Sequence, residues 1–303
     1  MLANLQKHSI FAMRVLIVGC GYVGLPLGAE LVKRGHAVFG LRRTAEGAEE
    51  LQAAGLTPLV GDVTRPETLR ALPGPFDWVV NTVSSSKGGA EVYRAVYVDG
   101  TRHLIEWLTA TPPRKFVHTS STSVYAQTDG SEVTETSSAQ PTTDTSQLLV
   151  EAEDLLRKAA REEGFPAVVL RVAGIYGPER GFLFQQFLRE EARLSGDGSR
   201  LLNMIHRDDV VSAIIAALER GKPGRTYNVT DNEPVSQRAF FEWLSDKLHK
   251  PMPPSADESG ATRRKRAVTN KRVSNRRLRE ELAWTPSYPT FREGYAEDVR
   301  RNA

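Results

Sequence analysis

The sequence is poor in cysteine, in long apolar runs and in excess charge of either sign, and each shortage excludes a class of protein. Cys20 is the single cysteine among 303 residues, which excludes intramolecular disulfides and clustered thiolate metal sites. No apolar stretch is long enough to cross a bilayer, and residues 1–13 lack the features of a signal peptide. We therefore expect a cytoplasmic protein with no membrane partner and no metal.

The charge balance argues against a nucleic-acid partner. The 40 basic and 37 acidic residues nearly cancel, so no strong field for polyanions is expected. The basic run TRRKR at 262–266 lacks interleaved aromatic residues, and we interpret it as a solvated loop. The expected ligand is a small molecule.

Strand-length apolar runs alternate with longer segments of helical period. This alternation predicts an α/β fold with a parallel sheet covered by helices. The predicted strands are 15–18, 37–41, 58–60, 78–81, 115–119 and 167–171, and the predicted long helices are 22–34, 91–109 and 146–163.

A glycine motif follows the first predicted strand. In VGCGYVG, Gly19 permits a tight turn, Gly21 allows the backbone to approach a pyrophosphate, and Gly24 lets the next helix pack on the sheet. The start of that helix offers free N–H groups and a positive dipole end, and we assign Tyr22 and Val23 to the same site. Between a strand and a helix, this motif predicts a dinucleotide site in a Rossmann-type doubly wound sheet.

The second predicted strand ends in arginines rather than in the acidic residue usual in NAD binders. The guanidinium groups of Arg42 and Arg43 suit a 2′-phosphate, so we expect NADP rather than NAD. The alternative is that one or both arginines are merely solvated. Asp62, after the third strand, stands where a carboxylate can bond the adenine amino group. The predicted cofactor site also includes Val63, Thr82 and Thr119.

We expect the boundary between two domains near residue 171. We assign residues 13–171 to the dinucleotide-binding domain and residues 172–303, where the rhythm is less regular, to a smaller C-terminal substrate lobe. The alternative is that the two interleave as one compact unit.

Eight stretches in order resemble the extended and atypical short-chain dehydrogenase/reductases, the NAD(P)-dependent epimerase/dehydratase family, and within it the atypical YeeZ-like group. They are GCGYVG at Gly19, GDVT at Gly61, YVDGTRHL at Tyr97, FVHTSSTSVY at Phe116, LRVAGIYGPER at Leu170, NMIHRDDV at Asn203, YNVTDNEPVS at Tyr227 and KRVSNRRLREELAW at Lys271. The opening GYVGLPL also resembles the nucleotide-sugar 6-dehydrogenases. Their covalent cysteine mechanism is excluded because the only thiol, that of Cys20, lies inside the glycine turn.

The resemblance implies a catalytic tetrad that this sequence keeps only in part. The family uses a Ser or Thr after the fifth strand, which Ser121 matches, and a Tyr followed four residues later by a Lys that lowers the phenol pKa. Here Thr145 stands at the Tyr position and Leu149 at the Lys position, and no Y-x-x-x-K occurs anywhere. Asp99 stands where extended members carry Asn.

Three mechanisms stay open. In the first, hydride transfer uses another acid (Tyr125, Tyr176, Asp99, His118 or His206) or water relayed by Ser121 and Ser123. In the second, the protein binds NADP and a metabolite without turnover, as a sensor or regulator. In the third, the substrate supplies the proton chemistry. Our catalytic candidates are Ser121, Tyr125 and Asp99, although the Ser121 hydroxyl alternatively only bonds nearby backbone.

The resemblance also implies a substrate cleft and a dimer. Segments 171–180 and 203–209 match those that line the cleft, and the candidate substrate residues are Ser123, Tyr176, Arg180, Asn203 and His206. His206 is alternatively a structural histidine, and Arg180 a solvated turn residue. The helices predicted at 91–109 and 146–163 correspond to a pair through which related proteins form homodimers. The expected function is that of an NADP-dependent oxidoreductase or epimerase/dehydratase acting on a hydroxyl or carbonyl compound, nucleotide sugars included.

Overall fold

Strands and helices alternate through the first half of the chain, as predicted. The computed structural model describes residues 12–85, 89–256 and 269–303. The strands are β1 Arg14–Val18, β2 Ala37–Arg42, β3 Thr57–Val60, β4 Trp78–Asn81, β5 Lys115–Ser121, β6 Glu132–Val133, β7 Ala167–Val172, β8 Gly174–Tyr176, β9 Leu201–Leu202, β10 Met204–His206, β11 Thr226–Val229, β12 Val235–Ser236 and β13 Arg272–Val273.

Helices fill the segments between most of these strands. They are α1 Gly24–Lys33, α2 Ala48–Ala53, α3 Pro66–Arg70, α4 Ala90–Tyr93, α5 Gly100–Thr109, α6 Asp144–Glu162, α7 Phe182–Leu188, α8 Arg207–Arg220, α9 Gln237–Leu248, α10 Arg276–Leu282 and α11 Phe291–Asn302. A π-helical turn, Arg94–Asp99, joins α4 to α5, so the predicted helix 91–109 is interrupted. A short 3₁₀ turn, Thr122–Val124, follows β5.

One parallel sheet organises the molecule. Its seven strands lie in the order β3-β2-β1-β4-β5-β7-β11, and β1 pairs with β2 on one side and with β4 on the other. The chain therefore moves outward in one direction up to β3 and in the other from β4 onward. The reversal leaves a crevice at the carboxyl ends of β1 and β4, which is where such sheets bind ligands. The predicted Rossmann-type doubly wound sheet is confirmed.

The strands are apolar throughout because helices cover both faces of the sheet. Successive side chains of a strand point to opposite faces, so Val15 and Ile17 join one core cluster while Leu16 and Val18 join the other. Helices α1, α8 and α10 cover the first face, and α5 and α6 cover the second. This layering holds the loops at the carboxyl edge in fixed positions.

Residues beyond 172 return to this sheet. Strand β11 pairs with β7 along residues 226–229, and α8 and α10 pack into the first core cluster. The predicted substrate lobe thus shares a core with the dinucleotide-binding part. The domain boundary near residue 171 stays a prediction.

The rest of the C-terminal lobe has an aromatic core of its own between α7, α9 and α11. Tyr295 stacks between Tyr176 and Phe184, with ring centroids 4.3 and 4.9 Å apart. Two two-stranded sheets, β8 with β10 and β9 with β12, complete the lobe, and a third pairs β13 with β6 of the first part of the chain. The last of these lays residues near the C-terminus against the loop that follows β5.

The structure also bears on the expectations about membrane spans, metal sites, Cys20 and the basic run. Within the described ranges, no helix is long and apolar enough to cross a bilayer, and no cluster of three or more His, Cys, Asp or Glu side chains is arranged to hold a metal. Cys20 is buried, and burial raises the pKa of its thiol to about 12. The basic run 262–266 lies outside the described residues.

Candidate functional site

The glycine turn after β1 has the backbone shape that the motif predicts. Gly19 has φ +87°, and a Cβ there would lie 2.8 Å from the backbone N and Cα of Val83. At Gly24 a Cβ would lie 2.7 Å from the carbonyl oxygen of Gly19. A Cβ on Gly21 would meet no atom within 4 Å. Two glycines are therefore needed by the fold itself, while the middle one faces open space.

Backbone donors are unused at this turn. Gly21 donates its N–H to the carbonyl of Gly19, and Leu25 donates to that of Gly21. Within the described part of the chain, the amides of Tyr22, Val23 and Gly24 donate to no backbone acceptor. They stand at the start of α1, where the helix dipole favours a negative group. This arrangement fits the pyrophosphate of a dinucleotide.

Arg42 and Arg43, the two arginines at the end of β2, are placed differently. The Arg42 guanidinium donates from Nε to the Cys20 carbonyl at 2.8 Å and from Nη2 to the Glu50 carboxylate at 2.7 Å. It also donates to the carbonyl of Gly47. Arg43 is exposed, and no described residue bonds its side chain. The free cation beside the crevice is therefore Arg43, while Arg42 is partly neutralised.

The remaining predicted cofactor residues lie after β3, after β4 and within β5. Asp62 is half-buried, and its Oδ1 accepts from the N–H and the hydroxyl of Thr64, which leaves Oδ2 available. Val63 is buried. Thr82 donates its hydroxyl to the Gly19 carbonyl at 2.8 Å, and Thr119 donates to that of Asn81 at 3.1 Å. Thr82 thus supports the glycine turn through its side chain.

Helix α6 carries the two positions where the family places Tyr and Lys. Thr145, in its first turn, is half-buried. Leu149 is buried in an apolar cluster with Tyr125, Val133 and Val273. A lysine ammonium would be out of place in this cluster, because an unpaired charge is costly to bury.

Tyr125 belongs to a buried polar network rather than to an open cleft. Its side chain has no exposed surface, and its hydroxyl donates to Asn228 Oδ1 at 2.7 Å and accepts from Arg171 Nη1 at 2.9 Å. Arg171 pairs with Glu153 at 2.6 Å, and Glu153 also accepts from the Ser120 hydroxyl. Burial raises the pKa of Tyr125. These contacts argue against the predicted acid role of Tyr125, because its proton is already committed inside the protein.

A group of serines lies at the end of β5. Ser121 Oγ accepts the N–H of Ser123 at 3.1 Å and so caps the 3₁₀ turn, which is the local bond considered as the alternative to catalysis. Accepting this bond leaves the hydroxyl proton of Ser121 free to donate. Ser146 donates to the Ser123 hydroxyl at 3.2 Å. Hydroxyl groups from β5, the 3₁₀ turn and α6 thus come together beside Thr145.

Asp99 and His118, two further acid candidates, are engaged locally. Asp99 ends the π-helical turn, and its carboxylate accepts from Arg102 at 2.7 Å while about a third of the side chain stays exposed. His118 is buried, and its Nδ1 lies 3.1 Å from Asn81 Nδ2. Burial lowers the pKa of His118 to about 4, so the ring is neutral at pH 7.

Tyr176 and His206, in the C-terminal lobe, are both buried. Tyr176 stacks in the aromatic core, where burial raises its pKa. His206 Nδ1 accepts the N–H of Asp208 at 3.2 Å and caps α8, and its ring lies 3.9 Å from that of Tyr288. Burial lowers the pKa of His206. The capping role corresponds to the structural alternative for this histidine.

Arg180 reaches the glycine turn. Its guanidinium lies 4.7 Å from the centre of the Tyr22 ring, and that of Arg207 lies 5.3 Å from the same ring. The Tyr22 hydroxyl donates to the carbonyl of Pro178 at 3.1 Å. Glu179 adopts φ +61°, an uncommon value for a side-chain-bearing residue, in the tight turn that presents Arg180. Arg180 is therefore directed toward the glycine turn.

Asn203 connects the lobe to Lys271, which was not among the predicted site residues. Its Nδ2 donates to the carbonyl of Lys271, and its Oδ1 accepts the N–H of Val273. The Lys271 side chain is buried, and its Nζ donates to the carbonyl of Tyr125 at 2.8 Å. Lys271 opens the stretch KRVSNRRLREELAW, but nothing in that stretch indicates which earlier loop it meets.

Comparison with known proteins agrees with the observed fold. A model of the NAD dependent epimerase/dehydratase family matches residues 15–230. Protein YeeZ of Escherichia coli K12 is 28% identical over 91% of this chain and 96% of its own length. The structure of DesIV, a dTDP-glucose 4,6-dehydratase of Streptomyces venezuelae described with NAD bound, superposes with a TM-score of 0.81 at 23% identity, covering 95% of this chain and 96% of DesIV.

Two similar proteins that align with most of this chain are named as reductases. A 4-hydroxy-2-methyl-3-oxo-4-farnesyl-3,4-dihydroquinoline-1-oxide ketoreductase of Stigmatella aurantiaca is 29% identical over 77% of this chain and 72% of its own length. A 3-diazoavenalumate denitrifying reductase of a Streptomyces species is 27% identical over 94% of this chain and 100% of its own.

Proposed function

This chain belongs to the NAD dependent epimerase/dehydratase family, and from that premise we propose that it is an NADP-dependent reductase of a small carbonyl compound. The observation that carries the proposal is the glycine turn, where the unused amides of Tyr22, Val23 and Gly24 meet the start of α1. Reduction is favoured over epimerisation or dehydration because the ketoreductase and the denitrifying reductase align with most of this chain.

The proposed preference for NADP depends on charge at the end of β2. No acidic residue ends this strand, and Arg43 is exposed with no partner among the described residues. We assign the 2′-phosphate chiefly to Arg43, since the Arg42 guanidinium is shared with the Glu50 carboxylate. Arginine donors bind phosphate oxygens strongly because the hydrogen bonds are charge-assisted.

The proposed chemistry replaces the phenol acid with hydroxyl groups. When bound, the reduced nicotinamide supplies a hydride to the carbonyl carbon. The Ser121 hydroxyl is free to donate because its Oγ only accepts the Ser123 N–H. It would donate a hydrogen bond to the carbonyl oxygen and stabilise the negative charge that develops there. Water held by Ser123 and Ser146 would then pass a proton from bulk solvent to the alkoxide oxygen, which completes the alcohol and leaves hydroxide in the solvent. Thr145 can orient this water but is too weak an acid to replace a phenol.

Calorimetric titration tests the cofactor assignment. We expect NADPH to bind about tenfold or more tightly than NADH, because one charge-assisted bond is worth about 1.5–3 kcal/mol. Arg43→Ala should remove most of this preference and Arg42→Ala a smaller part. Arg189→Ala, a control at an exposed position on the C-terminal lobe, should leave it unchanged. Equal affinities in the unchanged protein, or tighter NADH binding, would refute the NADP assignment.

Turnover tests the reductase assignment. Aldehydes, ketones and sugar nucleotides are screened with NADPH oxidation as the readout. Ser121→Ala should lower kcat by about 100-fold with unchanged NADPH affinity, while Ser121→Thr should keep most activity. Silence across the panel with firm NADPH binding would instead support a non-catalytic NADP-binding regulator. That second function is favoured by the burial of Tyr125 and the apolar surroundings of Leu149.

A further inference from the structure

We propose that Tyr97 is a catalytic residue whose phenol gives its proton to the carbonyl oxygen of the substrate. The inference deepens the proposed reductase function, on which it rests for the substrate and the hydride. It names the group that carries the solvent proton over its last step to the alkoxide oxygen. Tyr97 belongs to the π-helical turn between α4 and α5, outside the segments that supply the other hydroxyl groups.

The Tyr97 hydroxyl lies at the carboxyl edge of the parallel sheet. Its oxygen accepts the N–H of Ser85 at 3.1 Å, and Ser85 belongs to the loop that follows β4. The same loop begins with Thr82, whose hydroxyl donates to the Gly19 carbonyl of the glycine turn at 2.8 Å. The phenol therefore stands on the β4 side of the crevice between β1 and β4, where sheets of this kind bind their ligands.

The Tyr97 ring reaches across to the segment after β5. It is half-buried and packs against an apolar cluster. The cluster consists of Val124, Tyr125, Val133, Leu149 and Val273. Val124 ends the 3₁₀ turn that Ser121 caps, so the ring rests on the segment that Ser121 begins. One phenol thus joins the two loops between which a carbonyl bonded to Ser121 would lie.

The residue at position 149 suits this phenol. A lysine there would place an ammonium in the cluster on which the ring lies, and an unpaired charge is costly to bury. Leu149 instead adds apolar surface that supports the ring. The absence of the usual pair on α6 and the presence of a phenol from the π-helical turn are therefore compatible parts of one arrangement.

The π-helical turn Arg94–Asp99 sets the direction of the Tyr97 side chain. Gly100, which begins α5, donates its N–H to the Ala95 carbonyl five residues earlier rather than four. Close packing fixes α5 itself, because a Cβ on Gly100 would lie 2.8 Å from Cγ2 of Val63. One extra residue in a turn rotates the residues before it by about 100° around the helix axis. Tyr97 is thereby freed from the periodicity of α5, and such turns are frequent at functional sites.

A phenol is the strongest acid among the neutral hydroxyl groups described at this edge. Tyrosine ordinarily loses its proton at about pH 10, whereas serine and threonine hydroxyls are far weaker acids. The N–H that Ser85 donates would stabilise the negative charge left on the phenolate oxygen. A phenol oxygen can accept this bond and also donate, and its proton can rotate toward a bound carbonyl from whichever acceptor it faces otherwise.

The proposed step balances as a carbonyl reduction in which NADPH is the reductant. The carbonyl carbon gains a hydride, and the electron pair of the C=O π bond moves to the oxygen. The Tyr97 O–H bond breaks while the O–H bond of the alcohol forms, and Ser121 keeps its hydrogen bond to the same oxygen. The phenolate then takes a proton from water in the crevice, which leaves hydroxide in the solvent. Bulk solvent therefore remains the net source of the proton.

Tyr97→Phe deletes only the proposed donor. We expect kcat for any compound that is turned over to fall about 100-fold or more, with NADPH affinity within about twofold, because an acid acts only in the transition state. Tyr93→Phe is the matched control, since its ring lies 5.0 Å from that of Tyr97 and no described residue bonds its hydroxyl. That variant should keep kcat within about twofold. Should Tyr97→Phe not fold, Tyr97→Leu replaces it.

A purely structural role for Tyr97 predicts a different pattern. If the phenol only holds the loop at Ser85, Tyr97→Phe should weaken NADPH binding and lower the thermal unfolding midpoint, while the hydride step keeps its rate. NADPH deuterated at the transferred position separates the two cases. With an acid lost, the hydride step limits turnover, and the full primary isotope effect should appear on kcat of Tyr97→Phe. With a loop loosened, the isotope effect should equal that of the unchanged protein.

A second measurement does not depend on turnover. The eight tyrosines are replaced by 3-fluorotyrosine, and the fluorine NMR line of Tyr97 is assigned by its loss in Tyr97→Phe. Saturation with NADP⁺ should move this line, because the phenol stands on the wall of the crevice that the cofactor fills. The control ligand is 2′,5′-ADP, the adenosine half of the cofactor. It lacks the nicotinamide and should leave the line in place.

Three results overturn the proposal. They are a Tyr97 line that stays in place although calorimetry shows NADP⁺ bound, an equal shift with 2′,5′-ADP, and a Tyr97→Phe variant that keeps kcat within about threefold. Failure of the reductase proposal looks different, because it is an absence of NADPH binding or of turnover in the unchanged protein. A line that moves in a protein without turnover makes Tyr97 a contact residue of the crevice and removes its role as an acid.

Discussion

The role of Tyr125 can be decided by one substitution, Tyr125→Phe. The hydroxyl lost would leave the Arg171 donor and the Asn228 acceptor without a partner, and both residues are buried. A hydrogen bond to a charged group contributes about 1.5–3 kcal/mol, and an unsatisfied buried group costs about 1–3 kcal/mol. Because the ring and its packing are kept, we expect a loss of about 2–4 kcal/mol in the free energy of unfolding. The value of kcat should stay within about twofold, since a committed buried hydroxyl is not the general acid.

Urea unfolding followed by circular dichroism measures the first quantity, and steady-state NADPH oxidation measures the second. Tyr288→Phe is the matched control: its ring is half-buried against His206, and no described residue bonds its hydroxyl. We expect that variant to change stability by less than about 0.5 kcal/mol. The reasoning is refuted if Tyr125→Phe lowers kcat by about 100-fold or more at unchanged stability, because that is the signature of a lost general acid.

Three other substitutions test the turn, the network and the lobe. Gly19→Ala should abolish NADPH binding in calorimetry, since its Cβ would meet the backbone of Val83 at 2.8 Å; normal affinity would contradict the turn geometry. Glu153→Ala should cost about 3–5 kcal/mol in urea unfolding by leaving Arg171 buried and unpaired, and a loss below about 1 kcal/mol would contradict this. Burial raises the pKa of Asp231 from 3.8 to about 8, so the folded state keeps a proton that the unfolded state releases. Stability should therefore fall as pH rises from about 4 to 8, and Asp231→Asn should flatten that slope; an unchanged slope would exclude Asp231 as its source.

Local patterns were sufficient to predict the sheet and the cofactor turn. Each central strand is a short apolar run, and apolar runs covered on both faces are typical of parallel strands. The glycine spacing matches the two positions where a Cβ does not fit. At Gly24 it would meet the carbonyl of Gly19, and at Gly19 it would meet the backbone of Val83, which follows the neighbouring strand β4. Both features could therefore be predicted from short stretches of sequence.

The interior of the candidate site depends on contacts that no local pattern records. Tyr125 receives Arg171 from 46 positions away and Asn228 from 103, so its burial could not be read from its own surroundings. Lys271 meets the Tyr125 carbonyl across 146 positions. The interruption of the predicted helix 91–109 by a π-helical turn is likewise invisible in side-chain periodicity, because the change concerns backbone pairing.

The Tyr22 ring has a kinetic consequence. It belongs to the glycine turn with the unused amides, yet it contacts Arg180 and Arg207 and donates to the Pro178 carbonyl, which all come from the other half of the chain. A ligand bound to those amides would therefore also hold the Tyr22 ring. Through that ring it would hold the residues of the other half of the chain that contact it. We therefore expect a nucleotide to bind before, and to leave after, any substrate that contacts Arg180.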